Sequence, residues 1–65
     1  MNNSLQQGVD AFRSGDKAEA RRIFLAFVEN NPQSERGWEC LYNASQNDKE
    51  RLYCLKQILR INPGN

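Results

Sequence analysis

The stretch Gly15 to Pro32, GDKAEARRIFLAFVENNP, decides how this chain is read, because it marks both ends of a helix and gives that helix more than one apolar side. Gly15 suits the left-handed turn that ends a preceding helix, Asp16 suits an N-cap, and Glu19 follows at capping-box spacing. At 100° per residue Ala20, Ile23, Phe24, Phe27 and Val28 share one face, and Leu25 widens it into an arc broader than a single neighbour covers. This helix is therefore expected to lie between two others. Asn31 and Pro32 end it, since the residue before a proline is pushed out of the helical region.

Working outward, Ser4 to Ser14 reads as a preceding helix, with Ser4 and Gln7 at capping-box spacing. Leu5, Gly8, Val9, Ala11 and Phe12 cluster on one side of it, and Gln6, Asp10 and Arg13 point away. Gly8 inside a helix costs up to about 1 kcal/mol relative to alanine, so its use is close approach of another backbone, with Ala20 as the expected small partner. The SGD turn at Ser14 to Asp16 allows only an antiparallel hairpin. Beyond Pro32, Ser34 caps a third helix from Glu35 to Ser45. Trp38, Leu41, Tyr42 and Ser45 form its apolar face, with Gly37 and Ala44 as small contacts, so Trp38 reads as core. Asn47 and Glu50 repeat the capping spacing for a fourth helix that Asn62, Pro63 and Gly64 stop near Ile61. Leu52, Cys54, Leu55, Ile58, Leu59 and Ile61 cover about half of its circumference, again more than one neighbour needs. The fold class expected is all-α, two tandem antiparallel helical hairpins.

At 65 residues the chain is a single domain, 1–65, which buries only about 60% of its unfolded surface. Hydrophobic content of 38% excludes a highly charged disordered chain, while a mean hydropathy of -0.84 leaves the core thin. A net charge of +1 with interspersed signs gives no footprint for nucleic acid or an anionic membrane. The longest apolar run, Ile23 to Val28, is far short of the roughly 20 residues that cross a bilayer, and the N-terminus has no signal-peptide pattern. Location is expected to be cytoplasmic, and Cys40 and Cys54 are expected to be reduced thiols. Without histidine there is no usual base beside Cys40 and no ordinary zinc ligand set, so neither catalytic nor metal residues are expected, and no cofactor. Arg21 and Arg22, adjacent on a helix and about 100° apart, read as a solvated face.

Sliding the sequence on itself by 31 residues carries Glu19 onto Glu50, Phe24 onto Leu55, Phe27 onto Ile58, Val28 onto Leu59, and Asn31-Pro32 onto Asn62-Pro63. Two hairpins repeat in tandem. At these residues the chain resembles the tetratricopeptide repeat family. The first unit, 1–34, matches that pattern at Gly8, Gly15-Asp16, Glu19-Ala20, Phe24 and Pro32, with Ala11 and Phe27 as variants. The second, 35–65, supplies Trp38 and Leu41 at W-x-x-L spacing, then Leu55, Ile58 and Pro63. Gly15-Asp16-Lys17, Ala20-Arg21, Trp38-x-x-Leu41, Glu50-Arg51, Cys54-Leu55 and Ile61-Asn62-Pro63 resemble a short two-repeat variant found as an accessory segment near the N-terminus of larger bacterial proteins. The chain departs from the family at Gln7, in a second unit three residues short, and where Gly8 and Ala20 become Tyr42 and Arg51. The family geometry opposes those two positions, so a cation–π contact between Tyr42 and Arg51 is expected.

The resemblance implies a right-handed α-solenoid fragment that binds a protein or peptide without catalysis. Family ligand contacts would fall on Leu5, Val9, Phe12 and Arg13, then on Arg36, Glu39, Asn43 and Gln46. Because Leu5, Val9 and Phe12 sit in an apolar arc and read as core, Gln6, Asp10 and Arg13 are the exposed positions of the first unit. The candidate groove is then Arg13, Arg36, Glu39, Asn43 and Gln46. The Lys and Asn pattern that clamps a C-terminal carboxylate in chaperone-binding members is absent. The alternative is a structural element that self-associates, most simply as a two-fold homodimer, through Leu52, Leu55, Ile58 and Leu59 of the last helix, or that is covered there by a following helix. No nucleic acid, membrane or small-molecule substrate is expected.

Overall fold

The computed structural model describes residues 4–64, with side chains from Leu5 onward, so the expected cap at Ser4 lies outside the described side chains. Four helices follow in order: α1 Ser4–Arg13, α2 Lys17–Asn30, α3 Glu35–Asn43 and α4 Asp48–Ile61. No strand occurs among the described residues. α1 packs on α2, α2 on α3 and α3 on α4, so α2 does lie between two helices, with Ala20, Phe24 and Val28 buried.

The turns form for the reasons their residues supply. Gly15 adopts φ 91°, the Gly15 N–H donates to the Phe12 carbonyl and the Asp16 N–H to the Ala11 carbonyl at 2.9 Å, a Schellman closure of α1. Asp16 then caps α2 by accepting from the Glu19 N–H at 3.2 Å. Its own N–H is already satisfied by Ala11, so the Glu19 carboxylate turns to Arg22 and only half of the capping box forms. Ser34 accepts from the Gly37 N–H at 3.1 Å, and Asn47 accepts from the Glu50 N–H at 2.9 Å. α3 ends at Asn43, two residues short of the expected Ser45, because the Ser45 N–H bonds back to Tyr42 in a tighter final turn.

The core joins Ala20, Phe24 and Val28 to Trp38, Leu41 and Ala44 of the second hairpin and to Cys54 and Ile58 of α4. Trp38 is buried as expected, and its indole N–H donates to the Pro32 carbonyl at 2.9 Å. Close approach at Gly8 is made by Phe24 rather than by Ala20: a Cβ there would stand 2.4 Å from the Phe24 ring. Phe12, expected inside, is 40% exposed, since it sits at the margin of the α1 face that Gly8 and Ala11 centre on α2. The expected cation–π contact of Tyr42 with Arg51 is not found among the described residues. Arg51 instead bonds Asp48 one turn back in α4, and the ring contact that does form is an edge-on pair of Trp38 and Tyr53 at 5.6 Å.

Candidate functional site

α4 uses its circumference three ways. Cys54 and Ile58, one turn apart, face the core at 1% and 5% exposure. Ile58 is therefore removed from the candidate self-association face, because the side of α4 that meets α3 is the one it occupies. Leu52, Leu55 and Leu59 remain on the outside at 55%, 41% and 51% exposure. Their i, i+3, i+7 spacing makes them one continuous stripe.

The third side of α4 borders a cleft that no helical wheel indicates. Leu25, Val28, Trp38, Leu41 and Cys54 line its apolar part, and α2 and α4 wall a volume of about 620 Å³. At its polar end the Arg21 guanidinium forms a two-pronged ion pair with the Glu50 carboxylate. Arg21 is thus more than a solvated cation: it joins the two hairpins. The Arg21 hydrogen bond, followed by the Gln46 backbone N–H, holds the Glu50 carboxyl below its ordinary range. Lys49 and Glu29 stand at the borders.

The five polar groove candidates, Arg13, Arg36, Glu39, Asn43 and Gln46, are all exposed. Arg13, Arg36, Glu39 and Asn43 border neither the large cleft nor a smaller recess of about 330 Å³ between the start of α2 and the α3–α4 turn, which Gln46 does border. Gln6 and Asp10 are exposed too and bond each other at 2.9 Å. Apart from Gln46, these polar residues lie on the solvated surface away from both recesses.

Both cysteines are free thiols, Cys40 half-buried and Cys54 buried. Burial pushes each thiol above its ordinary range, which lowers the thiolate fraction that nucleophilic chemistry requires. No helix among the described residues is long and apolar enough to cross a membrane. Compared with protein-family models, with curated proteins and with solved structures, the chain matches none.

Proposed function

We propose that this chain is a non-catalytic protein-interaction module of the tetratricopeptide kind, working in the cytoplasm, and that its working surface is the outer face of α4. The observation that carries this reading is the exposed stripe of Leu52, Leu55 and Leu59 on a helix whose repeat counterpart, α2, is covered by helices on two sides. About half of each leucine is still in water, so each forgoes roughly 0.7–1.5 kcal/mol that full burial would supply. Together that is a large fraction of a small domain's stability, which favours a stripe that is covered in use. The polar face of Arg13, Arg36, Glu39, Asn43 and Gln46 has exposure in its favour but no comparable apolar area.

A capture experiment with two sets of variants separates the surfaces. Leu55→Asp is expected to abolish capture of a partner, or dissociation-sensitive self-association in sedimentation, while Glu39→Ala with Asn43→Ala leaves both unchanged. The reverse pattern moves the working surface to the first-helix face. Indifference to both sets overturns the interaction reading.

A further inference from the structure

We propose that the occupant of the α4 stripe is an amphipathic helix of another protein that carries acidic residues along the borders of its own apolar stripe; this rests on the outer face of α4 being the working surface. The internal repeat gives the form of the occupant. Phe27 and Val28 correspond to Ile58 and Leu59 under the 31-residue shift, and in the first hairpin this pair is met by α3 at Gly37. A Cβ on Gly37 would lie 2.8 Å from the Phe27 ring, so a helix backbone seats directly on that ridge. A helix placed on Leu59 as α3 is placed on Val28 covers the Leu59 end of the stripe, while Ile58, the counterpart of Phe27, is already buried.

Charge gives its chemistry. α4 carries Lys49, Arg51, Lys56 and Arg60 against Asp48 and Glu50, whereas the rest of the chain has more acidic than basic residues. Glu50 is committed to Arg21 across the cleft. The three leucines occupy an arc of about 60°, with the exposed Asp48 inside that arc at its N-terminal end, Arg51 on one border and Lys56 on the other. Arg51 has Asp48 beside it, while Lys56 forms no ion pair among the described residues and Arg60 bonds neutral oxygens of Pro32, Gln33 and Gln57. The repeat sharpens the contrast: Lys56 and Arg60 stand where α2 has Leu25 and Glu29. One apolar and one acidic position have become cations beside the unpartnered face. Acidic residues on the incoming helix answer them.

A second copy answers them poorly. A two-fold axis through the middle of the Leu52–Leu59 stripe passes beside Lys56 and turns the two Lys56 ammonium groups toward each other.

The test uses two synthetic helices of about 18 residues with an identical leucine stripe, one bordered by Glu and one by Lys. Each is titrated into the full chain by calorimetry, with backbone amide shifts recorded by NMR. The Glu-bordered probe is expected to bind about tenfold tighter or better at low salt, to lose that advantage near 0.5 M salt, and to shift α4 amides. Arg51→Glu with Lys56→Glu should invert the preference, and Leu52→Ser with Leu59→Ser should abolish both complexes. These positions lie on the exposed stripe or its borders, and far-UV circular dichroism checks that the variants stay helical. Equal binding, or preference for the Lys-bordered probe with shifts still on α4, overturns the acidic partner and leaves the α4 surface standing. A dimer of the chain alone that Leu55→Asp disperses and that excludes both probes likewise overturns it, in favour of a second copy. Shifts confined to α1 and α3 and indifferent to the leucine variants overturn both this inference and the function proposed above.

Discussion

Arg21 of α2 and Glu50 of α4 are joined side by side, the Arg21 Nε donating to Glu50 Oε1 at 3.0 Å and a terminal nitrogen donating to Oε2. The same Oε1 accepts the Gln46 N–H at 3.0 Å, so one carboxylate closes the α3–α4 turn and fastens the second hairpin to the first. Each side chain is about three-quarters buried, with 25% and 27% of its surface exposed. Two-pronged geometry and partial burial place this pair above an ordinary surface contact.

A double-mutant cycle on Arg21→Ala and Glu50→Ala is therefore expected to return a coupling of about 0.5–1 kcal/mol in urea unfolding. The exposed pairs Arg22–Glu19 and Arg51–Asp48, each within one helix, should couple less. Equal coupling for all three would show that the cross-hairpin position adds nothing.

Acid should weaken the fold partly through the same carboxylate. Hydrogen bonding from Arg21, then from Gln46, lowers the Glu50 pKa in the folded state, so the folded chain binds fewer protons than the unfolded chain as the carboxylate titrates. Its contribution is complete above the unfolded glutamate value of about 4.3 and is lost as pH falls through the lowered folded value. The urea midpoint of the wild type should exceed that of Glu50→Gln at pH 7, and the two should converge toward pH 3. A difference that persists undiminished in acid would assign the Glu50 effect to packing.

How far the sequence discloses this molecule depends on whether a feature is decided within one helix or between helices. The placement of α2 was legible because Gly15, Asp16 and Asn31 mark its ends and its apolar arc exceeds one contact. The division of α4 was not legible. Cys54, Ile58 and the three leucines form one broad arc on a wheel, and only the approach of α3 sends Ile58 inward and Leu55 outward. Arg51 lay opposite Tyr42 by analogy between repeats, but an acidic residue three positions earlier, Asp48, offers a local partner at no cost in chain geometry. The cleft and the Arg21–Glu50 pair depend on residues 29 apart meeting across two hairpins, which no local pattern encodes. The polar candidates Arg36, Glu39 and Asn43 were legible as exposed, yet none of them lines the cleft between α2 and α4.

The two helical glycines and the turn glycine should respond differently to alanine. At Gly8 the added methyl meets Phe24 ring atoms at 2.4 and 2.8 Å, so overpacking of about 1–3 kcal/mol outweighs a helix-propensity gain of up to about 1 kcal/mol. Gly37→Ala faces the same conflict with Phe27 at 2.8 Å. At Gly15 nothing lies within 4 Å, and the loss is the left-handed strain alone, about 1–2 kcal/mol. Thermal unfolding of the three variants checks this, and near-ultraviolet circular dichroism should change for Gly8→Ala and Gly37→Ala, whose aromatic neighbours must move, but not for Gly15→Ala.

The two thiols should report separately on opening of the structure. Cys54 is 1% exposed, its Sγ lies 4.0 Å from the Ser45 hydroxyl, and burial raises its pKa, so in the folded chain it is both shielded and protonated at neutral pH. Cys40 is also raised by burial, with Arg36 partly opposing the shift, but its residue is only half-buried. Alkylation by iodoacetamide followed by mass spectrometry should therefore label Cys40 first, slowly for a cysteine, and Cys54 only as fast as α3 and α4 separate. Adding urea should raise the Cys54 rate in step with the unfolded fraction while the Cys40 rate rises less. Leu55→Asp, on the opposite side of α4 from the cleft, should leave the native Cys54 rate unchanged. Faster labelling in that variant would mean that the exposed stripe already helps hold α4 against α3 and is not free to receive a partner.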